Sequence, residues 1–326
     1  MPLASIVVPA FNAGDELRDT ITSLLSQTYI DFEIIVVDDG STDGTATLLR
    51  EYFIDPDVRV VSQHNCGPSG ALNSGIAAAR GEFIGFCNAG DMWAQEKLAG
   101  HVAHLQQNSD VGISFSGLTL VDEAGRLLHA SDNPGPYNIT LGQIFKRNVI
   151  GKGSAPVVRR AVFDAIAFDD PSGAGRDLYF DETFRQCEYI ECWLRIALTT
   201  HWRFEGIVGI MSHHRIHAGG HCAAPEQRLE AWDRMVRKLT PLAPAFFNAH
   251  AKSARAYLLR SLVRRAIWNK DPAQALDLLS QSLTQSWRPV WEEPLKTIEL
   301  FGAAMLLRRT GPSALGRATE QPWGKR

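Results

Sequence analysis

The sequence predicts an α/β protein with a mixed, mainly parallel central sheet, followed by a C-terminal α-helical region. Four short apolar runs, rich in β-branched residues, predict strands, and amphipathic segments separate them. These runs are Ser5–Pro9, Ile34–Val37, Val58–Val61 and Phe83–Cys87. Unbroken apolar runs are typical of parallel strands that helices cover on both faces. A second observation is that only helical periodicity is present from Glu226 onward.

The first two strands and the segment between them predict a right-handed βαβ unit. Leu17, Ile21 and Leu24 recur at helical spacing, which predicts a helix over residues 15–26. A strand, a helix and a second strand at this spacing form a parallel pair. A glycine-rich turn, Asn65–Gly70, precedes a predicted helix over residues 71–79. Further strands are predicted over residues 111–116, 118–121, 155–158 and 207–210.

The helical periodicity near the C-terminus predicts four helices and a domain boundary. The helices are predicted over Glu226–Leu239, Ala245–Trp268, Pro272–Leu283 and Leu295–Arg308, and prolines lie between them. We therefore divide the 326 residues into an α/β domain, residues 1–225, and a helical region, residues 226–326.

The charges are unevenly distributed along the chain. The net charge of −3 argues against a nucleic-acid-binding protein. From residue 251 on, 13 basic and six acidic residues give +7, which leaves −10 for the rest. A basic helix around Leu258–Val263 carries Lys252, Arg255, Arg260, Arg264 and Arg265. Such a helix predicts either peripheral contact with an anionic membrane leaflet or a solvated face of a helix that packs on its own domain.

The cysteine count and the apolar runs bear on the compartment. Five cysteines, none in CxxC spacing, indicate neither a zinc site nor a disulfide framework. The N-terminus shows no signal-peptide pattern, and no run approaches the roughly 20 apolar residues of a membrane-spanning helix. We expect a cytoplasmic protein, which the basic helices would place at the inner face of the cell membrane.

Two carboxylates follow the second strand directly. Asp38 and Asp39 precede Gly40, which permits a sharp turn. Ligands of open α/β sheets bind just outside the carboxyl ends of the strands, so Asp38 and Asp39 mark a ligand site. Alternatively, both carboxylates only cap the turn and the next helix.

Five motifs of the first 220 residues together resemble one known family. They are Ser5–Asn12, Leu24–Tyr29, Phe32–Thr45, Asn73–Ile76 with Ala79–Ile84, and Phe180–Glu182 ahead of Trp193–Arg195. In this order they resemble the family 2 glycosyltransferases, which have the Rossmann-like GT-A fold. The helical region lies outside the resemblance.

The resemblance implies transfer of a sugar from a nucleoside diphosphate sugar, foremost a UDP-sugar, to an acceptor hydroxyl with inversion. The acceptor would be a saccharide or a lipid-linked glycan in cell-surface polysaccharide or glycoconjugate synthesis. By resemblance, Pro9, Ala10 and Phe11 line the nucleobase pocket, and Asp39 accepts a hydrogen bond from the base. Asn73 falls on the family's Asn-x-Gly and would lie near the diphosphate.

The first departure from the family concerns the metal site. The family usually has Asp-x-Asp-Asp after the fourth strand, and its second aspartate binds a divalent cation. The same positions here are Asn88, Ala89, Gly90 and Asp91. If Mn²⁺ or Mg²⁺ binds, Asp91 and His217 are the candidate ligands, with Asn88 supplying a carbonyl oxygen. Otherwise Arg215 and His217, which match an Arg-x-His element, would meet the charge of the diphosphate.

The second departure concerns the catalytic base. The family's Glu-Asp-x-Asp is Glu188-Tyr189-Ile190-Glu191 here, so tyrosine occupies the position of the base. Tyrosine, with a pKa near 10, is a poor base at neutral pH. Glu191, ahead of Glu188, is our candidate base, although both could only stabilise the helix N-terminus. With both departures in one chain, the alternative is a nucleotide-binding homologue that has lost catalysis.

Overall fold

The computed structural model describes residues 2–52, 55–132, 139–151, 153–173, 175–216 and 224–310. The chain divides into two compact units, residues 1–140 with 149–223, and residues 141–148 with 224–326. The elements before the second unit begins are β1 (Ala4–Ala10), α1 (Glu16–Leu25), β2 (Phe32–Asp38), α2 (Thr45–Tyr52), β3 (Val58–Ser62), α3 (Gly67–Ala78), β4 (Phe83–Phe86), β5 (Met92–Trp93), α4 (Lys97–Gln107), β6 (Val111–Val121) and β7 (Leu127–Asp132).

The rest of the chain enters the second unit, returns to the first and ends in the second. α5 (Leu141–Arg147) belongs to the second unit. The chain then returns to the first unit with β8 (Pro156–Arg159), α6 (Arg160–Ile166), β9 (Phe168–Asp169), β10 (Asp177–Leu178), α7 (Glu188–Thr199) and β11 (Arg203–Arg215). The second unit continues with α8 (Pro225–Leu239), a 3₁₀ helix (Thr240–Leu242), α9 (Pro244–Trp268), α10 (Pro272–Gln285), α11 (Arg288–Glu292) and α12 (Pro294–Thr310).

The predicted α/β sheet is confirmed. Its strand order is β3-β2-β1-β4-β8-β6-β11-β5, and β7 pairs with β6. The first four strands of this order are parallel, and β6 and β11 form a further parallel pair. β8 is antiparallel to both its neighbours, β4 and β6. The carboxyl ends of β1, β2 and β4 therefore meet at one edge, where the sequence places the ligand site.

Helices cover both faces of the parallel strands, which explains their unbroken apolar sequences. Ile6 and Val8 of β1 are fully buried in one cluster with Leu17 and Ile21 of α1. Val7 points the other way, towards α3. There a Cβ on Gly75 would lie 2.2 Å from the Cγ1 of Val7, so only glycine allows this close approach.

The second unit has an apolar core of its own. Buried residues of α9, α10 and α12 form one cluster, in which Leu259, Leu262 and Val263 are at most 1% exposed. The apolar face of α9 therefore packs inside the unit. Of the two alternatives for the basic helix around Leu258–Val263, this favours a helix that packs on its own domain.

Four boundaries differ from the predictions. α3 begins at Gly67, so much of the predicted glycine-rich turn forms its first turn. Residues 111–121 form one strand, and His213, His214 and Arg215 end β11 instead of following it. The single boundary predicted near residue 225 does not account for α5, which lies in the second unit. Within the described ranges, no helix is long and apolar enough to span a membrane.

Candidate active site

The edge of the sheet where β1, β2 and β4 end brings some of the predicted nucleotide residues together, among them Ala10 and Asp39. Pro9 and Ala10 pair with Val37 and Asp38 in the parallel register. The amide of Asp39 donates to the carbonyl of Ala10 (2.9 Å), which extends this pairing past the strand ends. The loop beyond β1 leaves the Phe11 side chain 50% exposed, so an aromatic face is available at this edge.

The Asp39 carboxylate is buried and holds the start of α3. It accepts hydrogen bonds from the amides of Cys66 (2.8 Å) and Gly67 (2.9 Å) and from Nε2 of Gln63 (2.7 Å). Asp39 therefore caps α3, whereas the alternative prediction was a cap of the turn and of the next helix, α2. Any hydrogen bond from a nucleobase would come in addition to these three.

The Asn73 side chain is saturated by its own chain. Its Nδ2 donates to the carbonyl of Phe180 (2.8 Å) and to the carboxylate of Glu182 (3.0 Å). Its Oδ1 accepts from the amides of Tyr179 and Phe180. An amide makes at most four such bonds, so no capacity remains for a diphosphate. This corrects the expected contact with the diphosphate: Asn73 positions residues 179–182 instead.

The residues after β4 do not fit a divalent cation. Gly90 has φ +95° and no side chain, and a Cβ there would lie 3.0 Å from Oε2 of Glu16. The Asp91 carboxylate is buried and accepts from the amide of Arg215 (3.2 Å) and from Oγ of Ser154, while Nδ1 of His214 lies 2.8 Å away. Three of its roughly four acceptor sites are thus engaged within the protein, which leaves little room for a metal ion, and Asp91 as a ligand stays a prediction.

The described residues contain no group of three histidine, cysteine, aspartate or glutamate side chains that could hold a metal ion. Hard cations such as Mn²⁺ require several oxygen ligands. His217, the second candidate ligand, lies outside the described residues.

The Arg215 guanidinium is buried, and each of its three nitrogens donates a hydrogen bond inside the unit. Its Nε donates to the carbonyl of Gly90 (3.1 Å), and its two terminal nitrogens donate to the carbonyl of Glu123 (2.8 Å) and to Asp19 (2.6 Å). Arg215 therefore fixes the turn at Gly90 against α1. This corrects the prediction that its charge faces the diphosphate.

Tyr189, at the position of the family's base, contacts the segment that replaces the family's metal-binding motif. Its hydroxyl donates to Oδ1 of Asn88 (3.2 Å). A Cβ on Gly153 would lie 2.2 Å from that hydroxyl, so the ring rests against bare backbone. Burial raises the pKa of Tyr189 well above its usual value, and the nearby Glu188 carboxylate adds to the rise. The phenol therefore stays neutral and cannot serve as the base.

The two candidate bases on α7 point in different directions. Glu191 is completely buried and forms an ion pair with Arg195 (3.0 Å). The preference for Glu191 is thereby corrected, because a carboxylate without exposure cannot reach an acceptor. Glu188 lies half-buried in the first turn of α7, next to Tyr189.

Two features of this unit were missed by sequence reasoning. Arg185 lies over the start of α3, where its Nη1 would be 2.6 Å from a Cβ on Gly67 and donates to Asn65 (3.5 Å). Its position in the loop before α7 gave no signal in the sequence.

Lys97 is fully buried, and Nζ donates to the carbonyl of Ala155 (2.7 Å) and to Ser116 (3.2 Å). Burial lowers the pKa of Lys97 to about 7.

Comparisons with known proteins show the family of the chain. Residues 5–166 match the family described as "Glycosyl transferase family 2". TuaG of Bacillus subtilis (strain 168), named for teichuronic acid biosynthesis, is 33% identical over 46% of this chain and 60% of its own length. The aligned segments span 34% to 60% of the first three curated relatives.

Solved structures share the fold over nearly the whole chain. TarS 1–349 of S. aureus in complex with UDP-GlcNAc is 19% identical, covers 95% of this chain and 92% of its own, and has a TM-score of 0.60. A mannosyltransferase from Pyrobaculum calidifontis, solved with GDP-Man and Mn²⁺, is 18% identical, covers 98% of this chain and 84% of its own, and has a TM-score of 0.57. With its motifs, its GT-A fold and the match over residues 5–166, the chain belongs to the family 2 glycosyltransferases.

Proposed function

We propose that the protein transfers a sugar from a nucleoside diphosphate sugar to an acceptor hydroxyl. The observation that carries this proposal is the shared edge of β1, β2 and β4 in a family 2 fold. Ala10 and Asp39 lie at this edge, and Tyr189 in the first turn of α7 is hydrogen-bonded to Asn88, which follows β4. TarS with UDP-GlcNAc on the same fold favours a UDP-sugar as the donor. The name of TuaG favours a saccharide or lipid-linked acceptor in cell-surface polysaccharide synthesis.

The nucleotide would lie against Pro9, Ala10 and the exposed ring of Phe11. Asp39 sets the shape of this pocket by holding the start of α3. Its carboxylate would accept one further hydrogen bond, from the nucleobase. The exposed Arg185 lies at the same edge and supplies positive charge for the phosphates. This assignment replaces Arg215, whose nitrogens are engaged elsewhere.

Glu188 is the proposed general base. An inverting transfer needs a carboxylate that takes the proton of the acceptor hydroxyl while the oxygen attacks the sugar carbon and the diphosphate leaves. Glu188 is the partly exposed carboxylate beside Tyr189, the position of the family's base.

We further propose that nucleotide binding does not depend on a divalent cation. Gly90 offers no side chain, and the Asp91 oxygens already have Ser154, His214 and the amide of Arg215 as hydrogen-bond partners. The residues at the family's metal-binding positions therefore favour neutralisation of the diphosphate by a cationic side chain over neutralisation by a metal ion.

A second candidate function is nucleotide binding without transfer. The specific observation in its favour is that Tyr189 fills the space between Asn88 and Gly153 with a neutral phenol. The nucleotide edge is intact in either case, so the two functions differ only in turnover.

Titration calorimetry with UDP, GDP and dTDP, each with Mn²⁺ and with EDTA, tests the proposal. We expect one nucleotide to bind equally well under both conditions, and Phe11→Ala to weaken it about tenfold because a stacking face is lost. An increase of tenfold or more with Mn²⁺ would contradict the metal-independent site. If no nucleotide binds, the transferase assignment fails, and binding without donor turnover selects the second function.

A further inference from the structure

α12 is apolar on two opposite sides. Its inner side, which includes Leu300, Ala304 and Leu307, is buried in the cluster with α9 and α10. Its outer side presents Leu295 (75% exposed) and Ile298 (67% exposed). A surface helix normally has a polar outer side, so an apolar one indicates a partner.

Two exposed tryptophans lie just before α11 and within it, and α11 contacts α12. Trp287 is 59% and Trp291 is 79% exposed. We name six residues the outer stripe: Trp287, Trp291, Leu295, Ile298, Phe301 and Leu306. The described residues include thirteen exposed large hydrophobic side chains, and six of them fall within these twenty positions. This concentration is a patch and not the usual scatter of single apolar residues.

Positive charge accompanies the outer stripe. Arg288 is exposed near its start, and Arg308 and Arg309 are exposed at its end. The carboxylates of Glu292 and Glu293 are matched by Lys146, Arg147 and Arg260 within the unit. The described residues 288–310 carry four basic and three acidic side chains, a net charge of +1, and Glu299 is the remaining exposed acid. The surface is thus apolar with cationic ends.

This chemistry fits an anionic lipid surface better than a second copy of the chain. Tryptophan prefers the membrane–water interface, and arginines beside an apolar helix face attract anionic headgroups. In a symmetric dimer the same patch would meet itself, so arginines of like charge would come together.

We propose that the outer stripe docks the protein on an anionic membrane surface. α11 and α12 lie in the interface with Trp287, Trp291, Ile298 and Phe301 among the lipid chains, and Arg308 and Arg309 contact lipid phosphates. This surface differs from the basic helix around Leu258–Val263, whose apolar face is buried. The proposal does not depend on the proposed transfer activity.

Sedimentation of the full chain with vesicles tests this proposal. Vesicles of phosphatidylcholine with 30% phosphatidylglycerol are compared with pure phosphatidylcholine. We expect pelleting with the anionic vesicles, and Ile298→Ser with Phe301→Ser to weaken it about tenfold because two inserted side chains are lost. Arg308→Glu with Arg309→Glu should abolish the preference for anionic lipid. Leu242→Ser is the matched control, since Leu242 is 50% exposed on the same unit outside the stripe.

Three results would overturn the proposal. These are no pelleting with anionic vesicles, equal pelleting of the Ile298→Ser/Phe301→Ser variant, and a dimer in sedimentation velocity that this same variant dissolves. Thermal melts verify that the variants fold, and the nucleotide titration should be unchanged in all of them. A failed titration with intact pelleting would contradict only the proposed function.

Discussion

Two glutamates three residues apart on α7 have opposite environments. Glu191 is buried against Arg195, whereas Glu188 is half-buried beside Tyr189. Removing one partner of a buried ion pair leaves an unpaired charge, which costs about 3 kcal/mol of folding free energy. Removing a general base instead costs rate with little effect on folding.

We therefore expect Glu188→Gln and Glu191→Gln to separate activity from stability. Glu188→Gln should lower sugar transfer by about a hundredfold or more with an unchanged melting temperature. Glu191→Gln should lower the unfolding free energy by about 3 kcal/mol because the Arg195 charge stays buried. Donor turnover and urea denaturation measure the two effects. Full transfer by the Glu188→Gln variant would exclude Glu188 as the base.

Gly90 shows why the family's aspartate cannot simply be restored. Its φ of +95° disfavours any side chain, and a Cβ would lie 3.0 Å from Oε2 of Glu16. We expect Gly90→Asp to destabilise the protein by about 2 kcal/mol, through backbone strain and like charge, without creating Mn²⁺ affinity. Urea denaturation and calorimetry with Mn²⁺ measure the outcomes.

Two further variants separate strain from charge at this position. Gly90→Ala should show the strain alone, and adding Glu16→Gln to Gly90→Asp should recover only the charge part. If Gly90→Asp is as stable as the parent and binds Mn²⁺, the assigned geometry of this turn is wrong.

The sequence predicted which residues lie at the site better than what they do there. Asp39 and Asn88 were predicted at strand ends because buried parallel strands leave unbroken apolar runs. The pairing of Glu191 with Arg195 was not predicted, since helical spacing does not reveal which carboxylate packs inward. Likewise the saturation of Asn73 depends on residues 179–182, about a hundred positions away.

At the scale of the element, α4 begins with a buried lysine, Lys97. Burial lowers the pKa of Lys97 from 10.5 to about 7 and keeps the pKa of His101 well below its usual value. Between pH 7 and 10.5 the folded protein has therefore released the Lys97 proton, whereas the unfolded chain retains it. Stability should accordingly rise with pH across this window, and below pH 7 the cost of the buried charge is complete.

Lys97→Met tests this pH dependence. From pH 7 to 9.5 the parent protein should gain roughly 3 kcal/mol relative to the variant, because 1 pKa unit corresponds to about 1.4 kcal/mol. Cys87, whose pKa burial raises well above its usual value, acts in the opposite direction at high pH. Because Cys87 and Lys97 act on each other's pKa, both proteins in the comparison carry Cys87→Ala. Urea denaturation measures the difference, and a difference that is constant with pH would contradict the assignment.

At the scale of the whole molecule, α5 shows what a linear division of the sequence misses. Helical periodicity predicted the four long C-terminal helices, which the structure contains with small shifts. α5 lies between strands of the first unit, and its seven residues give no local sign of their partners. Ile144 and Phe145 are buried in the second unit, where the Phe145 ring lies 5.6 Å from that of Trp232 and 5.1 Å from that of Phe247.

Because α5 belongs to the second unit, we can predict how a chain without the rest of that unit behaves. Residues 1–223 alone would leave Ile144 and Phe145 without the partners that α8 and α9 supply, which exposes an apolar patch. We expect this fragment to aggregate, and the same fragment with residues 141–148 replaced by an equally long Gly/Ser linker to be monomeric and to bind the same nucleotide as the full chain. Light scattering and calorimetry measure the two properties. Equal solubility of both fragments would show that α5 needs no partner from the second unit. An unfolded linker variant would show that the first unit needs residues 141–148 to fold.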